Sequence, residues 1–246
     1  LACGWEGKGR LPSTEIIVSE IEKALTPHDL KGENVLVTAG PTREYIDPVR
    51  FISNPSSGKM GFAVASAAWK RGAEVILVTG PTNIDPLHGI KTIVTESAEQ
   101  MHQAVTEHAD WASIVVKAAA VGDYLPKSYA KDKISKTNGT LNLELTKTKD
   151  ILSELGKNKN GKLLVGFAAE TNDIINKGKT KLKEKNLDIM VVNDVTKEGA
   201  GFSVDTNSAY ILSRKGDVKE FGIIPKQLLA QKILDEIVEI NSMPAG

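Results

Sequence analysis

NVLVTAG, at residues 34–40, is a short apolar run that is rich in Val and ends in Gly. Runs of this kind are typical of strands that are buried on both faces of a parallel sheet. EVILVTG, at residues 74–80, repeats the form, and both runs continue into Pro-Thr. Further strand candidates lie at residues 91–96, 112–120, 162–170 and 188–194.

Helical patterns separate these strand candidates, at residues 59–71, 97–109, 150–157 and 173–186. Strands that alternate with helices predict right-handed crossovers and a mostly parallel sheet. The end of the chain differs, because SAYILSRKGDVKEFG at 208–222 alternates about a Lys-Gly turn and predicts a hairpin. Helices are also predicted at 13–25 and 226–240. The predicted fold is therefore α/β, a Rossmann-like doubly wound, mostly parallel sheet with an antiparallel hairpin addition.

The composition excludes several classes of protein. The 246 residues include 31 Lys or Arg and 31 Asp or Glu, so no bulk field attracts nucleic acid or an anionic membrane. No run of 18 apolar residues predicts a membrane-spanning helix. Cys3 is the single cysteine, which excludes an internal disulfide and makes the cytoplasm the predicted compartment. The four histidines are scattered, and none has the spacing of a zinc ligand.

Three long polar loops follow predicted strands, at residues 41–58, 120–140 and 195–207. Doubly wound sheets bind ligands in loops at the carboxyl ends of their strands. Loops of this length are usually functional or disordered. We therefore look for the chemistry of the chain in these three segments.

The first loop ends in SSGKMG, which opens a predicted helix. Helix N-termini favour phosphate, and Gly58 and Gly61 let the backbone approach a ligand closely. Neither the Walker pattern nor the dinucleotide fingerprint is present, since Ser56 stands where the fingerprint has its first Gly. The local sequence leaves two interpretations open, a nucleotide-phosphate site or a helix cap with packing glycines.

Other polar residues in the loops are ambiguous by themselves. Asn54 precedes a Pro, which is typical of a turn, and Arg50 can pair with Asp47 at the surface. Asp123 follows a buried strand, where a carboxylate can hold a magnesium ion or a hydroxyl. Lys133 and the nearby Lys136 can neutralise a triphosphate or belong to a solvated loop.

Lys177, Lys181 and Lys185 fall on one face of the helix at 173–186 because of their i,i+4 spacing. A row of like charges is stable when water or an anion screens it. Both a solvated face and an anion-binding face remain open.

Several separated motifs occur in order along the chain, namely TAGPTREYIDPVRFISNPSSGKMG, KAAAVGDY, DKISK, GFAAET and KNLDIMVVND. Together they resemble bacterial phosphopantothenoylcysteine synthetase, the C-terminal half of a bifunctional coenzyme A biosynthesis protein. This resemblance implies a ligase that joins 4′-phosphopantothenate to cysteine. CTP and magnesium would first give an acyl-cytidylate and diphosphate, and the amine of cysteine would then displace CMP.

The resemblance also assigns roles to residues. Asn54 and Lys133 are the predicted catalytic residues, with Asn54 acting on the acyl intermediate and Lys133 on formation of the acyl-cytidylate. Arg50 is predicted to reach the substrate site of a neighbouring subunit, which implies a homodimer. The predicted substrate-binding residues are Arg50, Asn54, Ala119, Ala120 and Asp123. The predicted nucleotide-binding residues are Gly40, Ser56, Gly58, Gly61, Lys117, Ala118, Ala119, Asp123, Lys133, Lys149, Asp150, Ile151, Leu152, Phe167, Lys181, Lys185 and Asn193. Magnesium is expected to be held mainly by the nucleotide phosphates, with Asp123 as the candidate protein ligand.

The chain departs from the family pattern at Ser135, where a Lys is usual, and at Gly122, where an Ala is usual. Residues 1–11 resemble the tail of the flavin-dependent decarboxylase half, whose proton donor matches Cys3. We therefore predict a remnant tail and linker helix at 1–30, a ligase domain at 31–246 and a fusion to the decarboxylase in the full-length protein. No FMN is expected on this chain. The alternatives are a nicotinamide-dependent oxidoreductase and a non-catalytic nucleotide-binding or dimerisation module.

Overall fold

A computed structural model describes residues 11–136, 139–197, 199–201 and 203–242. Cys3 and most of the predicted decarboxylase tail lie outside these residues. The strands of the described chain are β1 (Asn34–Ala39), β2 (Arg43–Tyr45), β3 (Phe51–Ser53), β4 (Glu74–Thr79), β5 (Lys91–Val94), β6 (Ile114–Lys117), β7 (Tyr124–Pro126), β8 (Leu145–Lys147), β9 (Leu163–Glu170), β10 (Ile189–Asp194), β11 (Thr206–Ser213) and β12 (Val218–Pro225). The helices are α1 (Thr14–Leu25), α2 (Lys59–Lys70), α3 (Ala98–Ala109), α4 (Ile151–Lys157), α5 (Ile174–Glu184) and α6 (Lys226–Asn241).

Eight of the strands form one sheet in the described part of the chain, in the order β12-β11-β10-β9-β6-β1-β4-β5. The six strands from β10 to β5 are parallel to one another. Successive crossovers add β4 and β5 on one side of β1, and then β6, β9 and β10 on the other. The direction of winding therefore reverses between β1 and β6.

Helices cover both faces of this sheet, as the apolar runs require. Val35 and Val37 of β1 pack on the side of α2 and α6, and Leu36 between them packs on the side of α3 and α4. All three side chains are fully buried. Successive residues of a strand point to opposite faces, so a strand covered on both sides must be apolar throughout. The predicted doubly wound sheet is confirmed.

The predicted hairpin is also confirmed, as β11 and β12. It continues the sheet beyond β10 in antiparallel orientation. Gly216 turns the chain between the two strands with φ +99°, a conformation that suits Gly. The antiparallel hairpin thus forms one edge of an otherwise parallel sheet.

Two of the predicted loops contain short strands that the sequence did not indicate. Residues 41–58 include the antiparallel pair β2 and β3, and β7 in 120–140 pairs with β8. The strand predicted at 112–120 is shorter, because after Lys117 only Ala120 keeps a bridge, to Pro41. Strands of three residues are too short to show a period, which is why these segments read as loops.

None of the helices in the described ranges is long and apolar enough to cross a lipid bilayer.

We expect Gly61→Ala to lower the free energy of unfolding by about 2 kcal/mol, because the new methyl group overpacks the contact between α2 and β1. A Cβ at this position would lie 2.6 Å from the Cβ of Ala39 and 2.8 Å from the carbonyl oxygen of Thr38. Urea unfolding measures the change. Gly222→Ala is the control, since no atom lies within 4 Å of its Cβ position. Equal stabilities of the two variants would contradict the packing role of Gly61.

Candidate functional site

A cavity of about 460 Å³ opens at the carboxyl ends of β1, β6, β9 and β10. It lies at the reversal between β1 and β6, which is where doubly wound sheets bind ligands. Most of the predicted site residues line it, namely Asn54, Ser56, Gly58, Gly61, Lys117, Ala118, Ala119, Ala120, Asp123, Leu152, Phe167, Lys181, Lys185 and Asn193.

A second cavity of about 240 Å³ adjoins the first and shares Lys117, Val121, Asp123 and Lys185 with it. The predicted nucleotide residues 149–151 line this second cavity. The two cavities therefore form one continuous crevice along the edge of the sheet.

Three glycines shape the phosphate-type loop. Gly58 caps α2 in the left-handed conformation, with φ +81°, and a Cβ there would lie 2.7 Å from Thr82 and 3.4 Å from the backbone of Gly40. Gly61 brings the first turn of α2 against the end of β1. Close turns and close helix–strand packing are what the glycines of a dinucleotide fingerprint provide. Here residues 41–57 separate the first of these glycines from the other two. Gly40 lies against Gly58 and lines neither cavity.

Asn54 joins two of the loops that follow the strands. Its amide nitrogen donates hydrogen bonds to the carbonyl oxygens of Ala120 (3.3 Å) and Val121 (3.1 Å). The side chain is exposed at the cavity, next to Ala119. The amide is thereby held beside the positions predicted to contact the acyl substrate.

Asp47 and Arg50 fasten the segment that carries Lys133. The buried carboxylate of Asp47 accepts hydrogen bonds from the backbone N–H groups of Val49 (2.8 Å), Arg50 (2.8 Å) and Ile134 (3.2 Å). Burial opposes the charge on Asp47, but these N–H groups hold its pKa below the ordinary value. The guanidinium of Arg50 donates to the carbonyl oxygen of Ile134 at 2.8 Å.

Arg50 and Lys133 themselves line neither cavity. The ion pair that the sequence left open is present, with 3.6 Å between Arg50 Nε and Asp47 Oδ2. It is not the surface pair that was expected, because the Asp47 carboxylate is fully buried and held by its backbone hydrogen bonds. Lys133 is exposed, one residue before the fixed Ile134. The predicted reach of Arg50 into a second subunit stays a prediction.

The lysines on the predicted face of α5 form ion pairs with carboxylates. Lys181 pairs with Glu170 at 2.6 Å, and Lys177 pairs with the same carboxylate at 3.2 Å. Lys185, which follows the helix, pairs with Asp150 at 2.8 Å. Lys181 and Lys185 line the cavity. The anion-binding interpretation of this face is therefore compatible with its position.

Lys117 ends β6 between the two cavities. Burial lowers its pKa, and the positive charge of Lys185 lowers it further. Within the described ranges, no carboxylate lies within ion-pair distance of its ammonium group. A cation in this situation is stabilised by a bound anion.

Sequence reasoning missed several residues of the cavity wall, among them Lys59, Asn207 and Lys226. Lys226 is the first residue of α6 and is 4% exposed. Asn207 donates a hydrogen bond to the side-chain oxygen of Asn193 at 2.8 Å. Lys59 adjoins the recognised glycines and could have been included with them. Nothing in the local sequence marks Asn207 or Lys226, because both reach the site through the fold.

Among the residues that the structure describes, no three His, Cys, Asp or Glu side chains cluster as metal ligands would. Asp123, the predicted candidate for a magnesium ligand, is exposed and lines both cavities.

The fold and the crevice define a doubly wound α/β protein with a ligand-sized cavity at its winding reversal, and comparison with known proteins gives its family. The family model described as DNA/pantothenate metabolism flavoprotein C-terminal domain matches residues 30–240. The chain belongs to this family.

The chain is also similar in sequence to several curated proteins. The chain is 47% identical over 245 residues to the coenzyme A biosynthesis bifunctional protein CoaBC of Bacillus subtilis, covering 98% of the chain and 60% of the relative. It is 42% identical to a cysteine/cysteine sulfinic acid decarboxylase from an unknown prokaryotic organism, covering 98% and 69%. The chain thus spans about 60% of the length of the bifunctional relatives.

Solved structures of other proteins share the fold of this chain. The crystal structure of the C-terminal domain of a CoaBC protein is 41% identical, with a TM-score of 0.76, and the match covers 87% of this chain and 98% of that one. Cab2 mutant H337A, in complex with phosphopantothenate-cysteine, is 18% identical with a TM-score of 0.69. At that identity Cab2 shows the shared fold alone.

We expect Asp47→Ala to loosen residues 130–136 without unfolding the protein, because it removes the acceptor of the Ile134 N–H group. Limited trypsin digestion should cleave after Lys131, Lys133 and Lys136 faster than in the parent. Asp85→Ala, at an exposed loop position, is the control. Unchanged cleavage in Asp47→Ala would show that the carboxylate does not hold this segment.

Asp150 allows a prediction about pH. Burial disfavours its charge, but hydrogen bonds from Lys185 and from the side chain and backbone of Ser153 lower its pKa from 3.8 to about 2. Its contribution to stability is therefore complete above about pH 4 and is lost as the pH falls through about 2. We expect Asp150→Asn to cost about 0.5 kcal/mol at neutral pH, because the ion pair is half exposed. The difference from the parent should shrink in acid.

Comparing Asp150→Ala with Asp150→Asn distinguishes the contribution of the helix cap to stability from that of the ion pair. The Asp150 side chain also accepts the N–H of Ser153 at 3.1 Å as the N-cap of α4. Asn keeps such a cap and Ala does not, so Ala should cost about 1 kcal/mol more. Thermal unfolding between pH 2 and 7 measures both variants. A constant difference between Asp150→Asn and the parent across that range would refute the assigned pKa.

Proposed function

We propose that this chain joins 4′-phosphopantothenate to L-cysteine through an acyl-cytidylate, converting CTP to CMP and diphosphate. The observation that carries the proposal is the crevice itself. It brings the phosphate-type loop at Gly58 and Gly61, the cations Lys117 and Lys185, and the amide of Asn54 to one place. A carboxylate is a poor electrophile, so amide formation needs such a combination of nucleotide binding and acyl handling.

The relatives support this proposal. The bifunctional relatives are named for coenzyme A biosynthesis, and the family match lies on the described domain. A more distant protein of the same fold was solved in complex with phosphopantothenate-cysteine, which is the product expected of this reaction. We assign the ligase step to this part of the bifunctional protein and the flavin-dependent step to the part that precedes it in the relatives.

The residues divide the reaction into two steps. In the first, an oxygen of the substrate carboxylate attacks the α-phosphorus, and the bond to the β-phosphate breaks with its electron pair on the diphosphate. The cationic groups of the crevice, with Lys133 from the neighbouring segment, balance the charge of the triphosphate. In the second step the amine of cysteine attacks the acyl carbon, and CMP leaves. Asn54, whose amide nitrogen is held by Ala120 and Val121, is assigned to this step, in which it acts on the acyl intermediate.

Magnesium would supply further charge neutralisation on the triphosphate, held mainly by phosphate oxygens. Asp123 is exposed where the two cavities meet, so its carboxylate can reach either the ion or a substrate hydroxyl. We expect the backbone at 149–152 to contact the base, which would make the choice between CTP and ATP a matter of backbone geometry.

A homodimer is part of the proposal. The two small hairpins expose apolar side chains, among them Val49, Phe51, Tyr124, Tyr129 and Leu143. Clustered exposed apolar groups are characteristic of an interaction surface. Arg50 belongs to the same hairpin region, which supports its predicted reach into a second subunit. We place the protein in the cytoplasm, with no nucleic acid or membrane among its partners.

The central assay follows diphosphate release with CTP, magnesium and phosphopantothenate, with and without cysteine. We expect one equivalent of diphosphate without cysteine and continuous turnover with it. No release with CTP or ATP would favour a non-catalytic nucleotide-binding module, and nicotinamide reduction would favour an oxidoreductase. Carbon dioxide from cysteine or its sulfinic acid alone would favour the activity named for the decarboxylase relative.

Two variants separate the two steps. Asn54→Asp should keep diphosphate release and slow amide formation at least tenfold, because a carboxylate replaces the amide beside the acyl group. Lys133→Gln should block the first step. Asn83→Asp and Lys131→Gln are the exposed controls. Normal use of cysteine by Asn54→Asp, or retained acyl-cytidylate formation in Lys133→Gln, would remove the role assigned to that residue.

A further inference from the structure

Two lysines outside the recognised motifs line the cavity on the side of α2 and α6. Lys59 is the first residue of α2, and Lys226 is the first residue of α6. They lie 167 positions apart in the chain, yet both wall the same cavity, beside Gly58 and Gly61. Both helices therefore direct their N-terminal ends, with their partial positive charge, toward one place.

The loop that precedes β11 fixes both ammonium groups. Lys226 Nζ donates to the carbonyl oxygens of Gly201, at 2.8 Å, and of Val204. Lys59 Nζ donates to the carbonyl oxygen of Ser203 at 3.3 Å and pairs with Asp205 at 2.7 Å. An ammonium group has three N–H donors, so each lysine keeps one donor beyond these contacts.

The charges of this pair are only partly balanced. Lys226 is 4% exposed, and the acceptors that it contacts are neutral carbonyl groups. Burial lowers its pKa, and the charge of Lys59 lowers it further, while the charge of Asp205 opposes part of this shift. Asp205 pairs with Lys59, but its side chain is 81% exposed and screened by water. Two fixed cations with one solvated carboxylate form a site that an anion with several charges would stabilise.

We propose that Lys59 and Lys226 bind the β- and γ-phosphates of the nucleoside triphosphate and hold the diphosphate that leaves. This inference rests on the proposed function and extends it to two residues that the motifs do not contain. Lys185 and Leu152 lie on the α4 and α5 side of the sheet, where the nucleoside end is expected. The terminal phosphates would then cross the sheet edge over Gly58 toward α2 and α6.

The test compares ligands that differ only in these phosphates. Isothermal titration calorimetry measures the Kd of CTP, CMP and inorganic diphosphate for the parent, Lys59→Gln and Lys226→Gln. We expect each variant to weaken CTP and diphosphate by roughly tenfold or more, the loss of a charge-assisted hydrogen bond, and to leave CMP within about twofold. Lys70→Gln and Lys232→Gln, on the same two helices away from the cavity, are the matched controls.

Each alternative result is distinct. An equal loss for CTP and CMP would mean that the lysines only support the loop, and no loss for CTP would mean that the phosphates lie elsewhere; both outcomes overturn the proposal. If Lys226→Gln does not fold, Lys59→Gln carries the test, since its side chain is 38% exposed. Failure of the proposed function would appear separately, as tight, lysine-dependent binding of diphosphate with no diphosphate formed from CTP or ATP.

Discussion

The close approach of α2 to the end of β1 is the constraint on which the site depends. At Gly61 a single added carbon would lie 2.6 Å from Ala39, so only the residue without a side chain permits this packing. Gly58 then turns the chain into the helix against Gly40. The result is a helix N-terminus placed at the winding reversal of the sheet, where the ends of β1 and β6 diverge. A nucleotide-type crevice follows from this placement.

The segment between Gly40 and Gly58 turns this crevice into a candidate reaction site. In a dinucleotide fingerprint the three glycines lie within six residues of one another, so the loop carries no inserted hairpin. Here the inserted hairpin β2–β3 reaches the loop after β6, because Asn54 bonds to Ala120 and Asp47 bonds to Ile134. Two loops that are distant in the chain are thereby fixed against each other. Groups suited to acyl chemistry come to lie beside groups suited to phosphate.

Local charge in the crevice differs from the charge of the whole chain. The sequence has equal numbers of acidic and basic residues, yet lysines recur along the cavity wall. Lys181 and Lys185 have carboxylate partners, whereas Lys117 and Lys226 contact none within ion-pair distance among the described residues. Lys226 is buried and Lys117 is partly buried, so water and salt screen the field of these two cations less than they would at the surface. A neutral protein can in this way present a site that favours a polyanion.

The sequence by itself determined the doubly wound sheet, the added hairpin and most of the cavity wall, because these depend on local periods and on motifs that surround strand ends. Strands β2 and β7 have three residues each, which is too short to show a hydrophobic period in the sequence. Only the tertiary structure decided which charges meet. Lys59 pairs with Asp205, 146 residues away, and Lys226 lines the same cavity from the far end of the chain. No local pattern records such contacts, since they arise when helices from distant parts of the sequence pack on one face of a common sheet.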